Sequence, residues 1–178
     1  MPQVRPILRS KRLELLPWTV ALIDAFTTGD LGEATSALGV TFPEPFRPPP
    51  ETGDVLEFFR SAVEQDSSAG WYSPQMIVRS MDRMAVGSIG LLAPSESGRA
   101  MIGYSIYSEF EGMGYASEAA KALVEEGLRR PGITAIFATI PVGHIASETV
   151  ATRARLVRSG EQIEDEGVTL NVWEQRRV

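Results

Sequence analysis

Two glycines one residue apart, Gly112 and Gly114, stand between a strand-like run, Met101–Tyr107, and a helix-like run that opens at Ser117. A turn of this kind can leave several backbone N–H groups free at a helix N-terminus, where the helix dipole adds partial positive charge. Glycine tolerates positive φ and lets a ligand come close to the backbone. A phosphate or pyrophosphate suits such a place. Gly-x-Gly before a helix is also a common tight connection, so the pair alone does not choose between the two readings. No Gly-Lys-Ser/Thr comes after it, which removes the P-loop. The pattern Gly112-x-Gly114-x-x-Ser117 lacks the third glycine of a dinucleotide fingerprint, and no alternating strand–helix series surrounds it.

The rest of the reactive inventory is small. The chain has no cysteine and a single histidine, His144. Disulfides, thiol nucleophiles and acyl-cysteine intermediates are thereby excluded, and a metal site is not expected. The 178 residues, 43% of them hydrophobic, suit one domain (1–178) with a substantial core. A net charge of −6 argues against a nucleic-acid partner, which needs a basic face, and agrees with a cationic acceptor. The start, Met1–Ser10, has no apolar signal-like core, and no apolar run approaches a membrane span. The expectation is a soluble, cytoplasmic protein with no membrane partner.

The elements that must position the glycine turn can be read from periodicity. Leu13–Leu16 predicts a short strand stopped by Pro17, and Thr19–Thr28 and Asp30–Leu38 predict two helices. Residues 43–50 hold five prolines, which excludes a helix or central strand. We read them as a stiff loop rather than an interdomain linker, because too few residues precede them to form a core. Thr52 or Asp54 is expected to cap a helix running to about Asp66, with Val55, Phe58, Phe59, Ala62 and Val63 as its buried stripe. Strands are expected at Gln75–Met81, Met84–Leu92, Ala100–Tyr107 and Ile133–Ile140, with Asp82-Arg83 as a hairpin turn. Helices are expected at Ser117–Arg130 and from Ser147 to about Leu156, then a hairpin, Glu161–Glu164 and Val168–Glu174, around Asp165-Glu166-Gly167. The order β-α-α-α-β-β-β-α-β-α-β-β gives an α/β (α+β) fold: a mixed, mostly antiparallel central sheet flanked by helices.

Three stretches together resemble a known family. Phe110-Glu111-Gly112-Met113-Gly114-Tyr115-Ala116-Ser117-Glu118-Ala119 resembles the acetyl-CoA motif of the GCN5-related N-acetyltransferases (GNAT), closest to the RimJ/RimL-like branch. His144-Ile145-Ala146-Ser147 with Val150-Ala151-Thr152-Arg153-Ala154 is similar to the family's Asn-x-x-Ser…Val-Ala-x-Lys-Ala-Gly-Phe segment. Arg12-Leu13-Glu14-Leu15-Leu16-Pro17 is similar to its opening strand. The resemblance implies a GNAT-like fold whose strands ending at Tyr107 and starting at Ile133 splay to admit pantetheine. It implies backbone near Ile106 pairing with the pantetheine amides, and Glu111, Gly112, Met113, Gly114, Tyr115 and Ala116 holding the pyrophosphate. His144, where asparagine is usual, and Ser147 would flank the pantetheine. The acceptor pocket would come from loops around Thr41–Pro50.

The implied activity is direct, metal-free acetyl transfer from acetyl-CoA, as co-substrate, to a primary amine. That amine is a protein N-terminus by preference, or a small amine. Ser147 would assist thiolate departure as the catalytic residue, although it also reads as a helix N-cap. The strand Ala100–Tyr107 has no carboxylate to act as base, leaving Glu109, Glu148 and Glu161 as candidates. An α-amine, with a pKa near about 7.7–8.0 against about 10.4 for lysine, needs the weaker base. Glu118 sits where the helix dipole favours a carboxylate whatever the function. Arg153, Arg155 and Arg158 either meet the CoA 3′-phosphate or form a solvated face. Arg155-Leu156 replaces the usual Gly-Phe, so the helix is expected to continue toward Ser159-Gly160. The alternative function is a catalytically silent acyl-CoA-binding sensor or interaction domain. A homodimer is left open.

Overall fold

The computed structural model describes residues 4–164 and 167–178. Eight strands form one sheet in the order β1-β2-β3-β4-β5-β6-β8-β7. They are β1 (Leu8–Arg9), β2 (Leu13–Pro17), β3 (Gln75–Arg79), β4 (Met84–Leu91), β5 (Arg99–Ile106), β6 (Ala135–Pro141), β7 (Val157–Ile163) and β8 (Thr169–Arg176). Helices are α1 (Val20–Thr28), α2 (Leu31–Leu38), α3 (Leu56–Gln65), α4 (Tyr115–Gly127) and α5 (Ile145–Arg153). Among these strands β5 and β6 pair in parallel and the other neighbours antiparallel, and an isolated parallel bridge joins Thr41 to Met84. This is the mixed, mostly antiparallel sheet expected from the element order, with β1 as an added edge.

Side-chain alternation along the strands builds two cores. Leu13, Leu15, Ile77, Ile89 and Ile102 face α4 and α5, whose Ala119, Leu123, Val124 and Ala151 close that layer. Leu16, Met76, Val78 and Ala85 face the other way, onto α1 and α2. Period-2 alternation explains how one strand serves both layers. Thr19 and Asp30 cap α1 and α2 through side-chain oxygens that accept from Leu22 N at 3.2 Å and Glu33 N at 2.9 Å.

The proline-rich loop is held by aromatic contacts rather than by secondary structure. Phe46 stacks on Phe26 at 5.4 Å and meets Phe42 edge-on at the same spacing. Trp18 carries Phe59 of α3 edge-on, also at 5.4 Å. Such pairs contribute about 0.5–1.5 kcal/mol each beyond burial. Tyr107, fully buried, donates to Arg47 O at 2.8 Å and fixes the loop over the end of β5.

Several expectations are corrected. Neither Thr52 nor Asp54 caps α3: the Thr52 hydroxyl donates to Pro49 O at 2.6 Å, and a 3₁₀ turn, Gly53–Val55, precedes the helix. The predicted stripe of α3 divides: Phe59 and Val63 are half-buried and pack against the core of α1 and α2, whereas Val55 and Phe58 are 38% and 54% exposed. With Phe59 and Ala62, these two cover a cavity. Helix α5 starts at Ile145 rather than Ser147 and stops at Arg153, with Arg155 in the left-handed region at φ 67°. Continuation toward Ser159-Gly160 is impossible because β7 begins at Val157. The expected turn at Asp165-Glu166 lies outside the described residues.

Strand β4 bulges at Val86: the partner of Ile77 is Gly87 and that of Val78 is Ala85. A bulge bends its strand and re-aims the residues beyond it. Gly87, next to it, sits so close to β5 that a Cβ would lie 2.2 Å from Ser105 O and 3.0 Å from Ile106 Cα. Gly103 on β5 faces open space. Gly87→Ala should therefore cost about 1–3 kcal/mol, lowering the melting point by roughly 2–12 °C. Gly103→Ala should stay within about 0.5 kcal/mol of the parent. Equal melting points for the two variants would refute the close approach of β4 to β5.

Candidate functional site

Strands β5 and β6 are paired only at Arg99–Ala135, Ala100–Ile136 and Met101–Phe137. Beyond Met101 the two diverge, leaving the β6-facing edge of Ile102–Ile106 without a strand partner. A cavity of about 610 Å³ opens in the gap, walled by β5, β6, the glycine turn and the first turns of α5. Unpaired strand edges are templates for another extended, amide-bearing chain.

The glycine turn forms one end of this cavity. Gly112 and Gly114 take φ of 74° and 79°, left-handed values that favour glycine, and Gly114 is the N-cap of α4. Gly114 has no side chain to offer, so no cap bond forms there. The backbone amides from Gly112 to Ser117 donate to no acceptor among the described residues. A run of free N–H groups at a thirteen-residue helix's positive end is an anion cradle. Tyr115 is buried, with the Arg12 guanidinium 4.7 Å from its ring centroid and Arg79 donating to its hydroxyl at 3.3 Å, so its side chain anchors the turn from beneath.

Arg12 and Glu118 lock this turn to the β1–β2 hairpin. Arg12 Nη1 donates to Met113 O at 3.1 Å, and its Nε donates to Glu118 at 2.7 Å. Glu118 also accepts from Ser10 Oγ at 2.7 Å and Arg12 N at 2.8 Å. Burial pushes its carboxyl pKa up, but the Ser10 and Arg12 hydrogen bonds outweigh that and hold it below the usual carboxylate range. The structural reading of Glu118 is thus the one the geometry carries: it aligns the turn and does not face the cavity.

At the other side, His144 and not Ser147 caps α5. His144 Nδ1 accepts from Ser147 N at 3.3 Å. Ser147 O accepts from the Tyr104 hydroxyl at 2.9 Å. Burial pushes the Tyr104 phenol well above its usual pKa, so it stays protonated and keeps this bond. Ser147 is therefore held by its backbone on both sides, and its hydroxyl has no hydrogen-bond partner among the described side chains.

Of the residues expected to meet the co-substrate, Ile106, Glu111, Gly112, Gly114, Tyr115, Ala116, His144 and Ser147 wall the cavity. Met113 does not; it is 49% exposed and turned outward. Glu111 is exposed, consistent with a side chain directed to solvent. Among the three arginines only Arg153 reaches the cavity wall. Arg155 lies 3.9 Å from Glu125, and Arg158 sits on β7, bonded to Asn171 at 3.0 Å and to Glu161. The expected helical cluster of arginines is dispersed because the chain turns at Arg155.

None of the expected base candidates lines the cavity beside the glycine turn or the one under α3. Glu109 pairs with Arg47 at 2.7 Å, Glu148 accepts from Asn171 at 3.3 Å, and Glu161 pairs with Arg158. A second cavity of about 280 Å³ lies between α3 and strands β4 and β5, and it shares Pro50, Glu51, Gly103, Tyr104 and Ser105 with the larger one. Of the segment Thr41–Pro50, only Pro50 reaches it. Glu51 escaped the sequence reading because no periodicity marks it; the loop's path over β5 alone places it.

A family model described as an acetyltransferase (GNAT) domain matches residues 12–157. No curated protein matches the sequence significantly. Solved structures resemble the fold closely at low identity. A GNAT-family acetyltransferase from Bacillus anthracis is 17% identical with a TM-score of 0.65, over 96% of this chain and 98% of that one. RimL, a ribosomal L7/L12 alpha-N-protein acetyltransferase in complex with coenzyme A, is 20% identical with a TM-score of 0.68, over 97% and 98%. The microcin C7 self-immunity acetyltransferase MccE, in complex with acetyl-CoA and AMP, is 16% identical with a TM-score of 0.63, over 94% and 93%.

The lock between Arg12 and Glu118 has a pH signature. Because the folded-state pKa of Glu118 is depressed, its contribution is present above the ordinary carboxylate pKa and is lost as pH falls through the folded value. Glu118→Gln should cost about 2 kcal/mol near neutral pH, the scale of hydrogen bonds to a charged group. The gap to the parent should narrow as pH drops below about 4. Denaturant titrations at neutral and strongly acidic pH test this, and a gap that widens in acid would contradict it.

Proposed function

The chain belongs to the GNAT acetyltransferase family, and from that premise we propose that it transfers an acetyl group from acetyl-CoA directly to the α-amine of a protein N-terminus, in the manner of the RimJ/RimL-like branch. A small primary amine is the secondary acceptor class. The observation that carries this reading is the single cavity that joins the free amides Gly112–Ser117 to the unpaired edge of β5. A pyrophosphate suits the first and an amide-bearing pantetheine arm suits the second. The likeness to RimL, which carries coenzyme A, supports the branch and the acceptor class.

Acetyl-CoA brings the activated acyl group; the chain's residues orient it and manage charge. The amides of the turn, with the α4 dipole, balance phosphate charge without a bound metal. Ile106 and its β5 neighbours align the arm as an added strand would. The Ser147 hydroxyl, free of capping duty, is available to donate to the sulfur as negative charge develops there. A hydroxyl is too weak an acid to be a full proton source at neutral pH, but a donor that strengthens in the transition state lowers the barrier. A cytoplasmic setting belongs to the same proposal. No helix among the described residues is long and apolar enough to cross a membrane.

Ser147→Ala should lower kcat by about 10²-fold with little change in acetyl-CoA affinity. It should leave the melting point nearly unchanged, because the cap belongs to His144. His144→Ala should instead lose roughly 1 kcal/mol of stability. Thiol release with peptide acceptors, calorimetric titration of acetyl-CoA and thermal unfolding separate these effects. Normal turnover in Ser147→Ala would remove it from the chemistry. Tight acetyl-CoA binding with no thiol release for any amine would favour a silent acyl-CoA-binding domain.

A further inference from the structure

We infer that the smaller cavity selects an α-amine whose own side chain is apolar and up to aromatic in size, with Glu51 as the carboxylate that receives the amine; this rests on the acetyl-transfer reading above. The cavity of about 280 Å³ is walled chiefly by apolar groups, including Val55 just before α3, Phe58 and Phe59 of α3, Tyr72, Leu91 and Met101. A dry cavity of about 150 Å³ suffices for a benzene ring. Glu51 is the one charged residue in its wall among the described residues. A cation with an apolar body matches that pattern, whereas an acidic or basic side chain does not.

Three further observations point the same way. Val55 and Phe58 are 38% and 54% exposed, so their apolar surface is not spent on the core. Glu51 takes φ 63°, a left-handed value that a non-glycine residue adopts at a cost, and such residues cluster at functional sites. Glu51 stands on the wall common to both cavities. An amine held by Glu51 would stand where the two cavities meet, with its side chain in the smaller one.

The transfer balances simply. The bound cation first releases one proton to solvent and attacks as the neutral amine: its lone pair forms the N–C bond, the C–S pair leaves with sulfur, and the nitrogen gives its second proton to Glu51. Glu51 passes that proton to the thiolate and is a carboxylate again, so the products are an amide, free CoA thiol and the one proton released at the start.

Thiol release should be measured with tetrapeptides that differ only in the first residue (Phe, Leu, Ser, Asp, Lys), and with 2-phenylethylamine. We expect kcat/KM for the Phe and Leu peptides to exceed that for Ser by about tenfold or more. Glu51→Gln should lower kcat/KM for the Phe peptide by at least about 10²-fold, with the acetyl-CoA Kd unchanged. Ala62→Trp, which fills the cavity, should erase the Phe-over-Ser preference, again with the Kd unchanged. Equal rates for Phe, Ser and Asp peptides, or full turnover in Glu51→Gln, would overturn the inference while leaving acetyl transfer intact. A rate for 2-phenylethylamine about tenfold above the Phe peptide would overturn the N-terminal acceptor. Acetyl-CoA binding with no thiol release for any of these amines would sink the transferase reading and this inference together.

Discussion

The structure turns on the short parallel pairing of β5 with β6. Parallel neighbours cannot be joined by a hairpin, so the chain must cross over through α4. The crossover starts where β5 ends, which sets the positive end of α4 beside the point of divergence. Because pairing stops at Met101–Phe137, the cleft and the helix N-terminus share one opening. Had pairing continued to Ile106, the β5 edge would be satisfied by β6 and the amides of the turn would face a closed sheet. One break in the ladder thus supplies both the groove and its anion-binding end.

A cleft made by breaking a sheet has to be held open from outside. On one flank the Arg12–Glu118 lock ties α4 to the β1–β2 hairpin, and on the other Tyr107 and the Phe26–Phe42–Phe46 cluster tie the proline-rich loop over β5. These devices differ in kind. The first is polar and partly buried, so its worth depends on Glu118 remaining ionised. The second is mostly apolar, with one ion pair on the loop, Arg47 to Glu109, whose carboxyl the guanidinium holds below its usual range.

Much of this was legible in the sequence. Strand alternation, helix periodicity and Gly112-x-Gly114 located β2 to β6, α1, α2 and α4, because each signal is local and strong. The misplaced features depended on distant partners. Phe58 has the spacing of a core stripe, and only the position of α3 over a cavity makes it a wall. Ser147 has the side chain of a cap, but α5 begins two residues earlier and the duty passes to His144. Arg155 accepts a left-handed conformation because Leu156 and Ala154 are buried on either side of it and β7 must pair with β8. Tertiary packing overrides intrinsic preference at such positions. Glu51 carried no sequence signal at all, since its importance comes from the path of a loop.

That asymmetry comes from the different tasks of the two halves of the site. The half proposed for the co-substrate offers main-chain groups: free amides at a helix end and an unpaired strand edge. Those depend on glycine positions and strand order, so they leave a pattern in the sequence. The acceptor half uses side chains of one helix and one loop, laid over strands that would exist without them. Replacing Val55, Phe58 or Ala62 changes the cavity with little effect on the core, because no residue of α3 is buried. On the proposed reading, the fold could keep its acyl-donor half fixed while α3 and the Pro50–Thr52 segment set which amine is admitted. Although the chain carries a net charge of −6, Glu51 is the one charged residue in the wall of the smaller cavity among the described residues, so on that reading discrimination would rest on local charge and not on the surface average.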